Sequence, residues 1–259
     1  LVITYAQPYS SDSQSLGVPF DTITVNGKPA RNTVAEVYAQ VENDLLEAES
    51  LMSDDFVRAG VDDNAAVVSK QAIQALLSRV YLYMEQWQKS ADYATKVINS
   101  GKLALDADFS KLYGRDYESN KRGTNEHLFT IAHDGDKNDA QGNHQTHCSW
   151  TFPFQNGENG RGYSQNHTEV ADDDLYDDWK AEQPTDKRLA KTYLTEIKNP
   201  EDGLTYHYYS PVYTPINGKG VDQSYDNAEN LEITQNSVDR IEIRYAEVLL
   251  IKAEALVQL

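Results

Sequence analysis

The sequence predicts a mainly α-helical protein with helical hairpins, a long loop-rich region and a few short strands. Apolar residues recur at helical spacing from residue 33 to about residue 105. Residues 106–239 are rich in Gly, Asn, Asp and Tyr, and they contain few long periodic runs. Helical periodicity returns in residues 240–259. The pattern therefore predicts two helical parts separated by a region of loops.

The composition is that of an acidic globular protein. Of 259 residues, 39% are hydrophobic and 10% aromatic, which is enough to bury a sizeable core. Lysine and arginine number 23 against 41 aspartate and glutamate residues, so the formal net charge is -18. This charge argues against nucleic acids and anionic lipid surfaces as partners, and it favours a neutral or basic ligand. The single cysteine, Cys148, permits no internal disulfide.

The first strongly predicted helix lies in the stretch NTVAEVYAQVENDLLEAESLM. Thr33 and Glu36 have the spacing of a capping box, in which each side chain satisfies a free backbone N–H group of the other residue. Behind this cap, one face of the helix is apolar. That face consists of Val34, Val37, Tyr38, Val41, Leu45 and Ala48.

The stretch SKQAIQALLSRVYLYMEQWQKSADYATKVINSG predicts a helical hairpin that ends at Gly101 in a left-handed backbone conformation. Its inward residues are Ile73, Leu76, Leu77, Val80 and Met84 on the first arm and Ala91, Ala94, Val97 and Ile98 on the second. Small residues such as Ala72 and Ala75 let the two backbones approach closely, as in tetratricopeptide hairpins. Arg79 and Thr95 depart from that repeat pattern. The hairpin is therefore predicted to be tetratricopeptide-like.

The last sixteen residues, RYAEVLLIKAEALVQL, predict a helix with a broad apolar face. The face is predicted to contain Ala246, Leu249, Leu250, Ala253, Leu256 and Val257. Such a face has to be covered. Either an earlier part of the chain covers it, or the natural protein is longer than this sequence.

Several separated stretches together resemble the SusD/RagB-like outer-membrane nutrient-binding lipoproteins. In chain order they are YAQPYSSDSQSLGVPFDT with its Gly17-Val18-Pro19 turn, ARNTVAEVYAQVENDLLEAESLM, SKQAIQALLSRVYLYMEQWQKSADYATKVI, and DRIEIRYAEVLLIKAEAL with its Arg244-Tyr245-Ala246-Glu247 motif. Asp186 and Arg188 also match the Asp-x-Arg region of the family. Family members are longer than this chain. The resemblance thus implies one SusD-like domain, residues 1–259, incomplete at both ends.

Within that domain the resemblance assigns residues 1–105 to tetratricopeptide-like helices, 106–239 to a loop-rich ligand-site region and 240–259 to a returning helix. It implies a protein on the extracellular face of the outer membrane that binds oligosaccharides and delivers them to a TonB-dependent SusC-like transporter. Attachment to the membrane would be only through an N-terminal lipid anchor that this chain does not contain. The resemblance implies no enzymatic activity and calls for no cofactor.

Aromatic and polar residues in the loop-rich region are the predicted ligand contacts. Sugars stack their C–H faces on flat aromatic rings, while polar side chains bind their hydroxyl groups. The candidates are Trp150, Tyr163, Asn166, Phe152, Arg161 and, in YHYYSPVY, Tyr208. The alternation of Trp150, Phe152 and Phe154 equally fits a half-buried strand. The pattern of YHYYSPVY favours a structural strand over a ligand site.

Metal binding and hydrolysis are weaker hypotheses. His144, His147 and Cys148 could bind zinc, but no complementary ligand motif accompanies them. Asp134, Asp136 and Asn138 begin like a calcium loop, but Asp139 replaces the required glycine and Gln145 the closing glutamate, so an EF-hand is rejected. An oxygen-lined calcium site using ADDDLYDD is left open. Glu158 and Glu169 are candidate acids of a glycosidase, although surface charge explains both better.

Two other functions stay open at this point. A peptide-binding member of the same family fits the negative charge if the peptides are basic. An intracellular tetratricopeptide scaffold that binds protein partners fits the helical hairpin.

Overall fold

A computed structural model of the protein describes residues 2–20, 27–56, 64–107, 112, 115–116, 121–122, 125–131, 173–198, 205–211 and 240–259. The chain divides into two compact units. The first unit comprises Leu1–Leu105, Asn125–Phe129 and Glu242–Leu259, and the second comprises Asp106–Thr124 and Thr130–Ile241. We call the first unit the helical frame.

The described elements of the frame are mostly helices. They are α1 (Val2–Tyr5), α2 (Tyr9–Asp12), α3 (Val34–Leu51), a 3₁₀ turn (Asn64–Ala66), α4 (Lys70–Tyr83), α5 (Trp87–Asn99) and α8 (Tyr245–Gln258). Strand β3 (His127–Ile131) pairs with β6 (Arg240–Arg244). The predicted class is confirmed, since the described chain is mainly α-helical with tetratricopeptide-like hairpins and short strands. No helix among these residues is both long and apolar enough to cross a membrane.

Helix α3 begins with the predicted capping box. The Thr33 hydroxyl accepts a hydrogen bond from the Glu36 backbone N–H at 3.2 Å, and the Glu36 carboxylate accepts one from the Thr33 N–H at 2.8 Å. These bonds hold the pKa of Glu36 below its ordinary value. Val34, Val37 and Tyr38 of the predicted apolar face are buried. The local sequence thus sets both the start of the helix and its inner face.

A side-chain cap and two left-handed residues mark the ends of the helices in the α4–α5 hairpin. Ser69 caps α4 by accepting the Ala72 N–H at 3.2 Å. Between the helices Glu85 takes a left-handed conformation, with φ 55°. After α5, Gly101 is left-handed with φ 66°, as the sequence predicts for a glycine that ends a helix.

Two apolar clusters form the core of the frame. The first joins α3 to α4 and consists of Val34, Tyr38, Ile73, Leu77, Tyr81 and Met84. The second joins α4 and α5 to α8 and to β3 and β6, and consists of Ala72, Ala75, Ala94, Val97, Leu128, Ile243 and Val248. Ala75 and Ala94 are fully buried, and the Ser90 hydroxyl donates to the Ser78 carbonyl at 2.9 Å. These contacts confirm the predicted close approach of α4 and α5.

Helix α8 buries a different face from the predicted one. Val248, Ile251 and Ala255 are buried, and α8 packs on α5 and α4. Leu250 is 70% exposed and Val257 is 82% exposed, so the described part of the chain does not cover the predicted face. Apolar residues surround almost the whole helix, and their spacing therefore does not single out one face. An earlier part of the chain does cover α8, but on the Val248 side.

The second unit contains short strands and one helical corner among its described residues. Strands β1 (Arg115–Asp116) and β2 (Lys121–Arg122) form one antiparallel pair. Strands β4 (Tyr193–Lys198) and β5 (Thr205–Pro211) form another, with an irregularity between Leu194 and Glu196. Helices α6 (Asp173–Glu182) and α7 (Lys187–Thr192) meet at an apolar contact of Tyr176 and Leu189.

Candidate functional site

Arg79 on α4 joins three parts of the frame. Its guanidinium donates to both carboxylate oxygens of Glu247 on α8, at 2.6 and 2.7 Å. The same guanidinium donates to the Glu242 carbonyl on β6 at 2.9 Å. A bidentate pair of this kind fixes geometry as well as distance. Arg79 therefore holds α8 and β6 to α4.

A second ion pair continues this arrangement to β3. Arg244, the last residue of β6, donates from Nη1 to the Glu126 carboxylate at 3.0 Å. The Glu126 side chain is only 3% exposed, and the Glu126 carbonyl accepts the Tyr245 N–H at 2.8 Å. Glu126 immediately precedes β3. We call Arg79, Glu126, Arg244 and Glu247 the clamp.

The surface where α3 meets α4 and α5 carries a second polar network, which we call the seam. Its first part is centred on Glu42, which accepts the Tyr81 hydroxyl at 2.8 Å and the Lys89 ammonium at 3.3 Å. The Lys89 ammonium also lies 4.8 Å from the centroid of the Tyr81 ring. Burial, followed by the bond to Glu42, raises the pKa of the Tyr81 hydroxyl well above its ordinary value. Tyr81 therefore stays a neutral donor.

The second part of the seam repeats this arrangement around Glu49. Glu49 accepts the Tyr93 hydroxyl at 3.2 Å, the Lys96 ammonium at 3.4 Å and the Gln74 amide at 2.8 Å. The Lys96 ammonium lies 3.9 Å from the centroid of the Tyr93 ring. Burial tends to raise the pKa of Glu49, but these three donors outweigh it and lower the pKa. The seam thus consists of two successive Glu–Tyr–Lys sets.

The Asp-x-Arg residues form a compact contact at the α6–α7 corner. Asp186 accepts the Arg188 backbone N–H at 2.9 Å and is paired with the Arg188 guanidinium at 2.5 Å. It also accepts the Trp179 indole N–H at 3.2 Å, and the Arg188 guanidinium lies 5.7 Å from the Trp179 ring. The bonds from Arg188 hold the pKa of Asp186 far below its ordinary value. Asp186 and Arg188 therefore join the two helices of the corner.

The predicted ligand residues fall outside the part of the chain for which side chains are described. Trp150, Phe152, Arg161, Tyr163 and Asn166 all lie in the undescribed range 132–172. Tyr208 lies on β5, so the strand favoured for its stretch is present, but its side chain is not described. The register passes from Leu194 opposite Ser210 to Glu196 opposite His207, which leaves Tyr208 at the irregularity. Ligand contact by all six residues stays a prediction.

The metal and acid hypotheses fall largely on the same undescribed range. It contains the zinc candidates His144, His147 and Cys148, the calcium-loop residues Asp134, Asp136 and Asn138, and the candidate acids Glu158 and Glu169. Among the residues that the structure does describe, no group of three or more His, Cys, Asp or Glu side chains could hold a metal ion.

The sequence contained partial signals for the clamp and the seam. Glu42 and Glu49 are seven residues apart, as are Lys89 and Lys96, which places each pair on one helical face. Arg79 departs from the repeat pattern because it reaches outside its hairpin to Glu247. Thr95, the other departure, donates to the Ala91 carbonyl within its own helix at 2.7 Å. Pairing across such long sequence separations could not be predicted from spacing.

The fold and these contacts define a mainly α-helical protein with tetratricopeptide-like hairpins. A model of the SusD/RagB family, described as the SusD family, matches residues 99–259. A second model, described as starch-binding and associating with the outer membrane, matches residues 1–82. The chain belongs to the SusD family, which confirms the resemblance identified in the sequence.

Individual relatives agree with this assignment. SusD-like protein P2 of Formosa agariphila is 30% identical over 234 residues, which are 85% of this chain and 43% of that protein. A SusD superfamily crystal structure from Bacteroides thetaiotaomicron is similar, with TM-score 0.65 and 25% identity over 100% of this chain and 51% of that one. A laminarin-binding SusD-like protein has TM-score 0.65 at 22% identity, covering 92% and 54%, and so supports the fold. The chain spans about half the length of these relatives.

Proposed function

We propose that the chain belongs to a cell-surface glycan-binding protein on the outer membrane. It binds oligosaccharides without chemical change and delivers them to a TonB-dependent SusC-like transporter. The observation that carries this proposal is the match of two family models to residues 1–82 and 99–259, one of them described as starch-binding and associating with the outer membrane.

The seam and the clamp support a scaffold role for the helices. Glu42, Glu49 and Arg79 each engage a neighbouring helix of the same frame. Side-chain charges that are already paired in this way are poorly suited to binding a peptide on the surface of these helices. This favours placing the ligand site in the loop-rich region rather than on the helical hairpin, and it argues against an intracellular scaffold that binds peptides through the α3–α5 surface.

The proposed ligand contacts are the aromatic and polar residues identified in the sequence. Trp150 would be the main stacking platform, Tyr163 a second wall and Asn166 a hydrogen-bonding group, with Phe152, Arg161 and Tyr208 as further contacts. Loops suit this role because their sequence can vary without changing the core that supports them.

Isothermal titration calorimetry with laminari-oligosaccharides and other neutral oligosaccharides tests the proposal. The Tyr163→Ala variant should bind about tenfold more weakly, since loss of about 1.4 kcal/mol of stacking corresponds to that factor. Tyr83→Ala is the matched control, because Tyr83 is 43% exposed on the helical frame. If the two variants bind oligosaccharides equally well, Tyr163 is not a ligand contact.

A peptide-binding function in the same family is the second candidate, because the net charge of -18 favours basic ligands. The same calorimetry with a mixture of basic peptides separates the two. Binding of peptides but not of oligosaccharides would replace the sugar proposal. Appearance of new reducing ends during incubation with polysaccharides would contradict the proposal that the protein has no catalytic activity.

A further inference from the structure

The turn between α4 and α5 contains a residue type that its backbone conformation does not favour. Glu85 has φ 55°, in the left-handed region where a Cβ atom crowds the backbone and glycine is the usual residue. The turn requires this conformation. The Gln86 N–H donates to the Tyr81 carbonyl at 2.9 Å, and the Glu85 N–H donates to the Leu82 carbonyl at 2.9 Å. A glycine would make the same turn with less backbone strain.

The Glu85 side chain reaches a different part of the frame. Its carboxylate oxygen Oε1 accepts the Ser10 hydroxyl of α2 at 2.6 Å, although the two residues are 75 positions apart in the sequence. Hydrogen bonds to a carboxylate are shorter and stronger than those between neutral groups. A glycine could not make this contact. The carboxylate of Glu85 therefore ties α2 to the α4–α5 turn, while the turn carries the strain.

Helix α2 also contacts α3 through an aromatic pair. The Tyr9 ring meets the Tyr38 ring edge-on, with 5.3 Å between the ring centroids. Tyr38 is 6% exposed, but Tyr9 is only half-buried, and α2 contains no buried residue. Segments with few buried contacts open at a lower free energy than the core that they cover. Loss of the bond from Ser10 is therefore expected to act on α2 before it acts on α3.

The chain that follows α2 is held more firmly. The Ala35 N–H donates to the Ser13 carbonyl at 2.8 Å, and the Val34 N–H donates to the Ser15 carbonyl at 2.9 Å. Both donors lie in the first turn of α3, where Val34 is fully buried. The boundary between the firmly held and the weakly held part of the chain thus lies at Ser13.

We propose that the hydrogen bond between Ser10 and Glu85 is a latch that holds α2 on the frame. When the bond breaks, α2 turns away from the α4–α5 turn about Ser13, and Tyr38 loses the cover that Tyr9 provides. Helices α3, α4 and α5 stay folded. This conformational device lies within the frame and does not depend on the proposed binding of oligosaccharides.

The test compares Ser10→Ala, Glu85→Ala and Glu85→Gly in the full chain. Both changes at Glu85 remove the carboxylate, but only the glycine also removes the crowded Cβ atom. Ser10 and Glu85 are both exposed, so the variants are expected to fold. Hydrogen exchange would be measured by mass spectrometry over α2 and α3, and stability by urea unfolding. Glu47→Ala, at an exposed position on α3, is the matched control for loss of a carboxylate.

Exchange over α2 should be about fivefold faster in all three variants, since each of them loses the same hydrogen bond. Glu85→Gly should have a higher urea midpoint than Glu85→Ala, because glycine adopts the left-handed conformation without strain. Exchange over α3 should follow this difference in midpoint, whereas exchange over α2 should not. The double variant Ser10→Ala with Glu85→Ala should exchange over α2 no faster than either single variant. Glu47→Ala should match the wild type over α2.

Three results would overturn the inference. The first is unchanged exchange over α2 in Ser10→Ala and Glu85→Ala, because the bond would then not hold α2. The second is exchange over α2 that stays at the wild-type rate in Glu85→Gly but is faster in Glu85→Ala, because α2 would then respond to the stability of the turn. The third is an equal acceleration in Glu47→Ala, because loss of any nearby carboxylate would then loosen α2.

Discussion

The seam and the clamp join helices with the same kinds of charged side chain, but they differ in geometry and exposure. In the seam, Lys89 and Lys96 are about half exposed and lie 3.3 and 3.4 Å from single carboxylate oxygens. In the clamp, Arg79 meets both oxygens of Glu247 at 2.6 and 2.7 Å and is 23% exposed. Exposed single contacts contribute little to stability, whereas partly buried bidentate contacts are costly to break.

The two regions also differ in what else supports them. Seam charges lie over an apolar contact of α3 with α4 in which Tyr81 is fully buried. The clamp instead lies at the ends of two strands, where Arg79 of α4 bonds to β6 and α8 and Arg244 bonds to Glu126. The stability of the seam is therefore expected to depend on its aromatic rings, and the stability of the clamp on its charged side chains.

The largest expected effect comes from removing a ring of the seam. Tyr81→Ala should lower the free energy of unfolding by about 3–5 kcal/mol, because a large aromatic ring is lost from the core. Tyr81→Phe keeps the ring and loses only the bond to Glu42, so it should cost about 1 kcal/mol. Urea unfolding followed by circular dichroism measures both. Equal losses in the two variants would mean that the hydroxyl, rather than the ring, supports the seam.

An intermediate effect is expected from neutralising the clamp. Glu247→Gln removes the charge partner of Arg79 and should cost about 1.5–3 kcal/mol, the usual contribution of a hydrogen bond to a charged group. Glu254→Gln makes the same chemical change at an exposed position on the same helix and should cost nothing measurable. Urea unfolding measures both variants. The expected role of the clamp is contradicted if Glu247→Gln is no more destabilising than Glu254→Gln.

The smallest effect is expected from a charge of the seam. Lys96→Met should lower the free energy of unfolding by less than about 1 kcal/mol at neutral pH. The pKa of Glu49 is lowered in the folded protein, so the contribution of Glu49 is present above the ordinary glutamate pKa of about 4.3 and is lost as the pH falls through the lowered value. Thermal unfolding of wild type and Lys96→Met at pH 7 and at pH 3 measures this. The difference between the two proteins should narrow at pH 3, and a constant difference would show that Lys96 acts through packing on Tyr93.

Much of the helical frame could be predicted because its signals are local. The capping box of Thr33 and Glu36 and the left-handed Gly101 depend on residues within one helical turn, and both are present in the structure. The buried alanines of α4 and α5 could also be predicted, since consecutive helices joined by a short turn must pack on each other.

The candidate site was less predictable from local patterns. The alternation of Trp150, Phe152 and Phe154 fits both a ligand surface and a half-buried strand, so the pattern does not decide between them. The stretch around Tyr208 does form the favoured strand, but whether Tyr208 contacts a ligand depends on which face of the strand is open. Calorimetry on a variant of each residue decides whether that residue contacts the ligand.

By itself the sequence determined where α3 begins, where the α4–α5 hairpin ends and to which family the chain belongs. Backbone N–H and carbonyl groups at helix ends form hydrogen bonds with neighbours in the chain, so the adjacent residues determine their hydrogen-bond partners. Tertiary structure decided which face of α8 is buried and what Arg79 binds. Apolar residues surround α8, and the face that loses its water is the one that meets Ala94 and Val97. Arg79 and Glu247 are separated by 168 positions in the sequence, so their pairing likewise depends on the folded chain.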